Sequence, residues 1–167
     1  MMESKELLQQ LLVTTRELIV PLMEDLRDAA LVAPTPNGGN HATWIAGHLA
    51  YSEASLLTYH MCGEANPLED WKEIFGFGSE PVASADAYPP YDELIAKFVE
   101  GREGSLKQLA GLTETELDQP SANVSDEMKA LFGTYRQCFT MVALHTSVHR
   151  GQLTDCRRAA GRKPLFV

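Results

Sequence analysis

Apolar residues near the start of this chain keep a helical spacing. Leu7, Leu8, Leu11, Leu12, Leu18, Ile19, Leu22, Met23 and Leu26 recur at steps of three and four, which gathers them on one face of an α-helix. The stripe predicts a first helix over Ser4 to Ala30, kinked at Pro21, which lacks an N–H and clashes one turn back. Pro34-Thr35-Pro36-Asn37-Gly38-Gly39 then reads as a loop. Asn40 is expected to cap a second helix, His41 to Cys62, with Gly63 as its stop. Residues 64–90, broken by Pro67, Pro81, Pro89 and Pro90, are irregular apart from a short helical turn around Trp71, Ile74 and Phe75. A third helix is predicted over Tyr91 to Ala110, closed by Gly111. A second long connection, 112–133, has room for a short helix near Thr113 to Leu117. The fourth helix spans Thr134 to Ala160; Gly161 and Pro164 stop it, and Arg157 and Arg158 suit the negative end of its dipole. No segment reads as a β-hairpin. The prediction is an all-α four-helix bundle, whose long crossovers permit parallel as well as antiparallel neighbours.

Composition limits the partners. The 167 residues are expected to form one domain, 1–167, large enough for its own core. A net charge of −9 has the wrong sign for nucleic acid or an anionic membrane surface. No apolar run is long enough to span a bilayer, and Met1-Met2-Glu3-Ser4-Lys5-Glu6 lacks the basic and apolar regions of a signal peptide. Three scattered cysteines, Cys62, Cys138 and Cys156, fit a reducing compartment, and the expected location is cytoplasmic. The basic cluster Arg157, Arg158, Arg162 and Lys163 could bind an anion or form a solvated helix end.

The histidines carry the chemical signal. His145 and His149 are four apart on the fourth helix, which puts both imidazoles on one face, able to share a metal. As a pair they could equally be surface or core residues. His-Thr-Ser-Val-His lacks the general-base glutamate of H-E-x-x-H proteases, and the lack of any Glu-x-x-His in the chain argues against a ferritin-like di-iron site. A third ligand must come from another helix, and His48 lies mid-way along the second, beside Gly47, which would allow close approach of a backbone or a metal. His41, seven residues earlier and about 10 Å along the axis, could line the same cleft but not share the ion. His60 reads as exposed and without a role. Cys138 and Cys156 are each seven residues from a helix-four histidine, too far to close the site, and are read as small buried residues. Cys62 has no assigned role. Three imidazoles without a carboxylate suit Zn²⁺, Ni²⁺, Co²⁺ or Fe²⁺, with Mn²⁺ a further option, and leave positions open.

Two segments resemble a known family. Trp44-Ile45-Ala46-Gly47-His48-Leu49-Ala50 and His145-Thr146-Ser147-Val148-His149-Arg150-Gly151-Gln152-Leu153, helped by Arg157 and Gly161-Arg162-Lys163-Pro164-Leu165, resemble the DinB/YfiT-like proteins, a superfamily of metal-binding four-helix bundles. The resemblance implies an up-down-down-up bundle with a divalent metal, commonly nickel or zinc, on His48, His145 and His149. It also implies a homodimer, and its characterised relatives include transferases and isomerases that use bacillithiol, mycothiol or glutathione. It does not imply DNA binding.

Such a metal would make a nucleophile of a low-molecular-weight thiol or of water, giving a transferase or a hydrolase for a small-molecule substrate. Gln152, one turn after His149, is a candidate to line the site. Glu53 could orient a ligand, act as a base, or be a solvated helix-face carboxylate. Arg150 could bind an anionic substrate or pair at the surface. Two other readings are a bundle that holds a metal or small ligand without turnover, and a structural bundle with core histidines.

Overall fold

The computed structural model describes residues 3–165. Its helices are α1 (Ser4–Asp25), α2 (Ala42–Ala54, continued as a π-helical stretch Ser55–Met61), a short α3 (Lys72–Phe75), α4 (Tyr91–Gly111), a short α5 (Lys129–Phe132) and α6 (Tyr135–Ala159). Among the described residues there is no strand, and β-type pairing is limited to isolated bridges, Thr35 with Gly38 and Pro120 with Thr134. Among the described residues no helix is long and apolar enough to cross a membrane.

The helix ends depart from expectation for local reasons. The first helix stops at Asp25 rather than Ala30, and a 3₁₀ turn, Arg27–Ala29, follows. It runs through Pro21 without a break. The buried Ile19, Leu22 and Met23 on either side hold it in the bundle against the loss of one backbone hydrogen bond. The cap of α2 is His41, not Asn40: His41 Nδ1 accepts from the Trp44 amide at 3.2 Å, and its Nε2–H donates to the Val82 carbonyl at 3.0 Å. Gly63, at φ +77°, ends that helix as expected. Thr134 caps α6 in a reciprocal box with Gln137, and Gly161, at φ +73°, terminates it. In the second connection the expected turn at Thr113 to Leu117 is a 3₁₀ turn at Glu116–Asp118, and α5 has no counterpart among the expected elements.

The pairing of ends shows how the long helices lie. Arg136 at the start of α6 holds Glu114 and Ser4, at the start of α1, and Arg157 near the end of α6 holds Asp25 at the end of α1. On the other pair, Arg102 meets Glu53, and Gln108 meets Cys62, further along both α4 and α2. Tyr91, at the start of α4, donates to the Met23 carbonyl near the end of α1. Two apolar clusters form the core, one around Ile19, Ile45, Leu49, Phe75 and Phe98, the other around Leu12, Leu57, Leu109, Phe139 and Val142.

The arginines at the basic end of α6 are engaged in ion pairs. Arg157 is buried and bonded to Asp25, Arg162 pairs with Asp25 and Asp28, and Arg158 pairs with Asp155. The pairs of Arg157 and Arg162 tie the end of α6 to the end of α1.

Candidate metal centre

Three imidazoles meet where the first half of α2 faces the middle of α6. His48 and His149 are buried and His145 is half-buried. The Nε2 atoms of His48 and His145 lie 3.1 Å apart, and those of His149 and His145 3.0 Å apart. Ligand nitrogens at zinc-like bond lengths of about 2.0–2.1 Å would lie about 3.3 Å apart in a tetrahedron and about 2.9 Å apart at adjacent octahedral positions. The observed spacings fall between the two.

The other ring nitrogens explain why the Nε2 atoms turn inward. His48 Nδ1–H donates to the Phe75 carbonyl at 2.7 Å, and His149 Nδ1–H donates to Gln152 Oε1 at 2.9 Å. A neutral imidazole carries one N–H, so both rings present a bare Nε2 lone pair. The His145 Nε2 between them can hold one proton and give it to only one neighbour. At least one pair of nitrogens therefore faces each other with no proton between, an arrangement that favours a cation there. Protonation is disfavoured: burial, with the neighbouring His149 and His48, pushes His145 down to about 3, and burial, with His48, pushes His149 down to about 4. His48 is lowered by burial as well. Neutral imidazole is the form that ligates a metal.

Gly47 leaves room for a neighbouring ring. A Cβ at this position would sit 2.2 Å from the Phe75 ring. The close approach made possible by this glycine is thus that of an aromatic ring, and the same Phe75 supplies the carbonyl that orients His48. Trp44 stacks on His48 with ring centroids 4.3 Å apart and covers one face of it.

A family model for the DinB superfamily matches residues 11–153. The chain belongs to the DinB superfamily. No curated protein matches it significantly. The matched stretch of this DinB-superfamily chain contains His48, His145, His149 and Gln152 and ends before Arg157. The three histidines form a group able to hold a metal ion, and among the described residues no other His, Cys, Asp or Glu joins them.

The remaining candidates fall elsewhere. Glu53 is neither a solvated carboxylate nor part of the histidine cluster. It is buried, bonded by Arg102 Nε and Nη2 at 2.8–3.1 Å and by Ser105 Oγ at 2.7 Å. Gln152 adjoins the centre by orienting His149, and its Oε1 also accepts from Asn40 Nδ2 at 3.1 Å. Arg150 is half-buried on α6. His41 serves as a cap, and His60, half-buried, donates to the Asn123 carbonyl at 2.6 Å. Cys156 donates to the Asn40 carbonyl and Cys138 to the Phe132 carbonyl. Both are buried, with thiols pushed up to about 11 by burial. Cys62 accepts from Gln108, and burial raises its thiol too.

Arg102 is absent from the candidates read in the sequence, although a signal was there. Leu94, Phe98, Arg102, Ser105 and Leu109 follow one helical stripe, so a guanidinium and a hydroxyl occupy positions of the apolar face. The Phe75 carbonyl left no such signal, because any residue has one.

Proposed function

We propose that this chain holds a divalent metal, nickel or zinc first among the candidates, on His48, His145 and His149, and uses it to activate a low-molecular-weight thiol or water against a small-molecule electrophile. The convergence of three Nε2 atoms, two of them held bare by bonds at Nδ1, carries this reading. The donor set fits the group: three neutral imidazoles suit these ions and leave positions for an exogenous ligand. A metal held there supplies Lewis acidity, which brings the pKa of a coordinated thiol or water towards neutrality. The protein's own part is to orient the ligands. The Phe75 carbonyl and Gln152 fix two rings, and Trp44 covers one face of His48.

The reading includes a homodimer, a cytoplasmic location and an up-down-down-up helix order. The end-to-end pairings of α1 with α6 and of α2 with α4 support that order. Exposed Leu7 and Leu11 on α1, with Leu144 and Val148 on α6, support an apolar contact between copies. Nucleic acid is not among the proposed partners.

One observation favours a second reading, a metal-holding bundle without turnover. Glu53, the carboxylate nearest His48 in sequence, is locked by Arg102 and cannot serve as a free base. Metal analysis of tag-free protein, followed by thiol-consumption assays with several thiols and electrophiles, separates the readings. The enzyme reading expects a metal:protein ratio near one and a metal-dependent rate that His48→Ala and His149→Ala abolish. Metal without such a rate leaves the holding bundle, and a ratio near zero, unchanged in His145→Ala, sinks both.

A further inference from the structure

We propose that Asn40 selects the metal-binding tautomer of His149, acting through the amide of Gln152 as a polarity relay. Its functional meaning rests on the metal-site reading above. Gln152 Oε1 takes two hydrogen bonds at once, from His149 Nδ1–H at 2.9 Å and from Asn40 Nδ2–H at 3.1 Å. A primary amide has an acceptor end and a donor end of nearly the same shape. Beside an imidazole it can therefore serve either tautomer. With its oxygen towards the ring, Nδ1 keeps the proton and Nε2 is bare. With its NH₂ towards the ring, Nδ1 must accept, and the proton moves to Nε2. There it would point among the other imidazoles and block the ligand position, since His145 Nε2 lies only 3.0 Å away.

Nothing in Gln152 alone makes that choice. The donor on Asn40 does, because two donors cannot face each other. The backbone of Asn40 is held in place from both sides. It precedes the His41 cap of α2, and its main-chain carbonyl receives the Cys156 thiol of α6 at 3.3 Å, while its side-chain NH₂ faces Gln152. The relay thus runs from the entry of α2 to α6, across the two helices that carry the ligands. Asn40 is a positioning residue, since it touches neither the proposed metal nor a substrate.

The deciding variant is Asn40→Asp, which keeps the shape and removes the donor. A carboxylate at 40 demands the NH₂ of Gln152, and this turns His149 towards its Nε2–H form. The expected loss of affinity for Zn²⁺ or Co²⁺ is about tenfold or more. Simple charge attraction predicts the opposite sign, because the added negative charge would tighten a cation. Imidazole ¹⁵N shifts of the metal-free protein above neutral pH should show His149 passing from Nδ1–H to Nε2–H. Gln152→Glu, which keeps an acceptor at the ring, should hold the wild-type tautomer and bind the metal no more weakly than wild type. Asn40→Ala, which removes the donor without inverting it, should give mixed tautomers and a smaller loss, and it serves if Asn40→Asp does not fold. Affinity in Asn40→Asp equal to or tighter than wild type, or an unmoved His149 tautomer, overturns the relay. Wild-type protein that takes up no metal defeats the metal-site reading instead, and the ¹⁵N shifts still decide the relay.

Discussion

The bundle buries two polar clusters, and they are built on opposite principles. Arg102 is fully buried, yet all five of its N–H groups have acceptors: Glu53 takes two, and the Leu12 carbonyl, Thr15 and Thr146 take the others. The partners come from α1, α2 and α6, so one guanidinium on α4 joins all four long helices. The histidine cluster has the reverse character, with more lone pairs than protons at its centre. Sequence neighbours are shared between the two: Thr146 serves Arg102 while His145 and His149, beside it on α6, serve the other. A satisfied network needs nothing from outside and specifies how the helices fit. A deficient one in the same core could hold a cation, and there the search for function belongs.

The first way to test this contrast is pH. Burial holds the three imidazoles below the 6.5 of an ordinary histidine, so on acidification the unfolded chain takes up protons before the folded one. Metal-free protein should therefore be fully stable above about pH 7 and lose stability progressively as pH falls from there towards 4, by up to about 1.4 kcal/mol per pH unit for each histidine. Urea midpoints of chelator-treated protein between pH 8 and pH 4.5 measure this. His145→Ala should show a shallower slope, and an equal slope removes the cluster as its cause.

Next in size is the closed network. Arg102→Met leaves the Glu53 carboxylate buried beside Ser105 alone and should cost about 3–5 kcal/mol in denaturant unfolding, with metal uptake per folded molecule unchanged. A loss of uptake in folded Arg102→Met protein would join the two clusters into one. Smaller again is His145→Ala at neutral pH. Without metal its stability should stay within about 1 kcal/mol of wild type. The stabilisation by metal, about 2.7 kcal/mol at a hundred times Kd, should disappear, as read from melting temperatures with and without Zn²⁺.

Legibility in the sequence follows the same division. Helices α1, α4 and α6 were readable because their apolar residues keep one period, and an error at Pro21 or Ala30 does not erase a stripe of nine; α2, buried almost all round, was readable from the breakers that bound it, with Gly63 as its stop. His145 and His149 could be paired through helix geometry alone, and Gly47 marked a close approach. The identity of what approaches was not readable, since the Phe75 ring and carbonyl come from a distant turn whose docking no local spacing encodes. Glu53 was open to a catalytic reading because its partner lies on another helix. The cap of α2 was misplaced by one residue for a chemical reason: Asn40 is the commoner cap type, but its side chain is engaged by Gln152, and His41 Nδ1 takes the amide instead.

The last expected effect bears on how the open cluster is held in shape. Gly47→Ala puts a methyl 2.2 Å from two atoms of the buried Phe75 ring, so ring or helix must move, and an overpacked site of this kind costs about 1–3 kcal/mol. Were Phe75 only a core residue, the variant would lose stability alone. The Phe75 carbonyl, however, takes the Nδ1–H of His48 at 2.7 Å, so a clash relieved by shifting the Phe75 backbone carries the orienting acceptor with it. Metal affinity in the folded Gly47→Ala protein should therefore also fall, by about tenfold, and a paired Phe75→Leu substitution, which opens room for the methyl and leaves the backbone carbonyl free to return, should restore more of the affinity than of the stability. Titration of Co²⁺ followed by its visible absorption reads the first quantity, and urea unfolding the second. Equal recovery of both would reduce Phe75 to packing and leave His48 oriented by α2 alone.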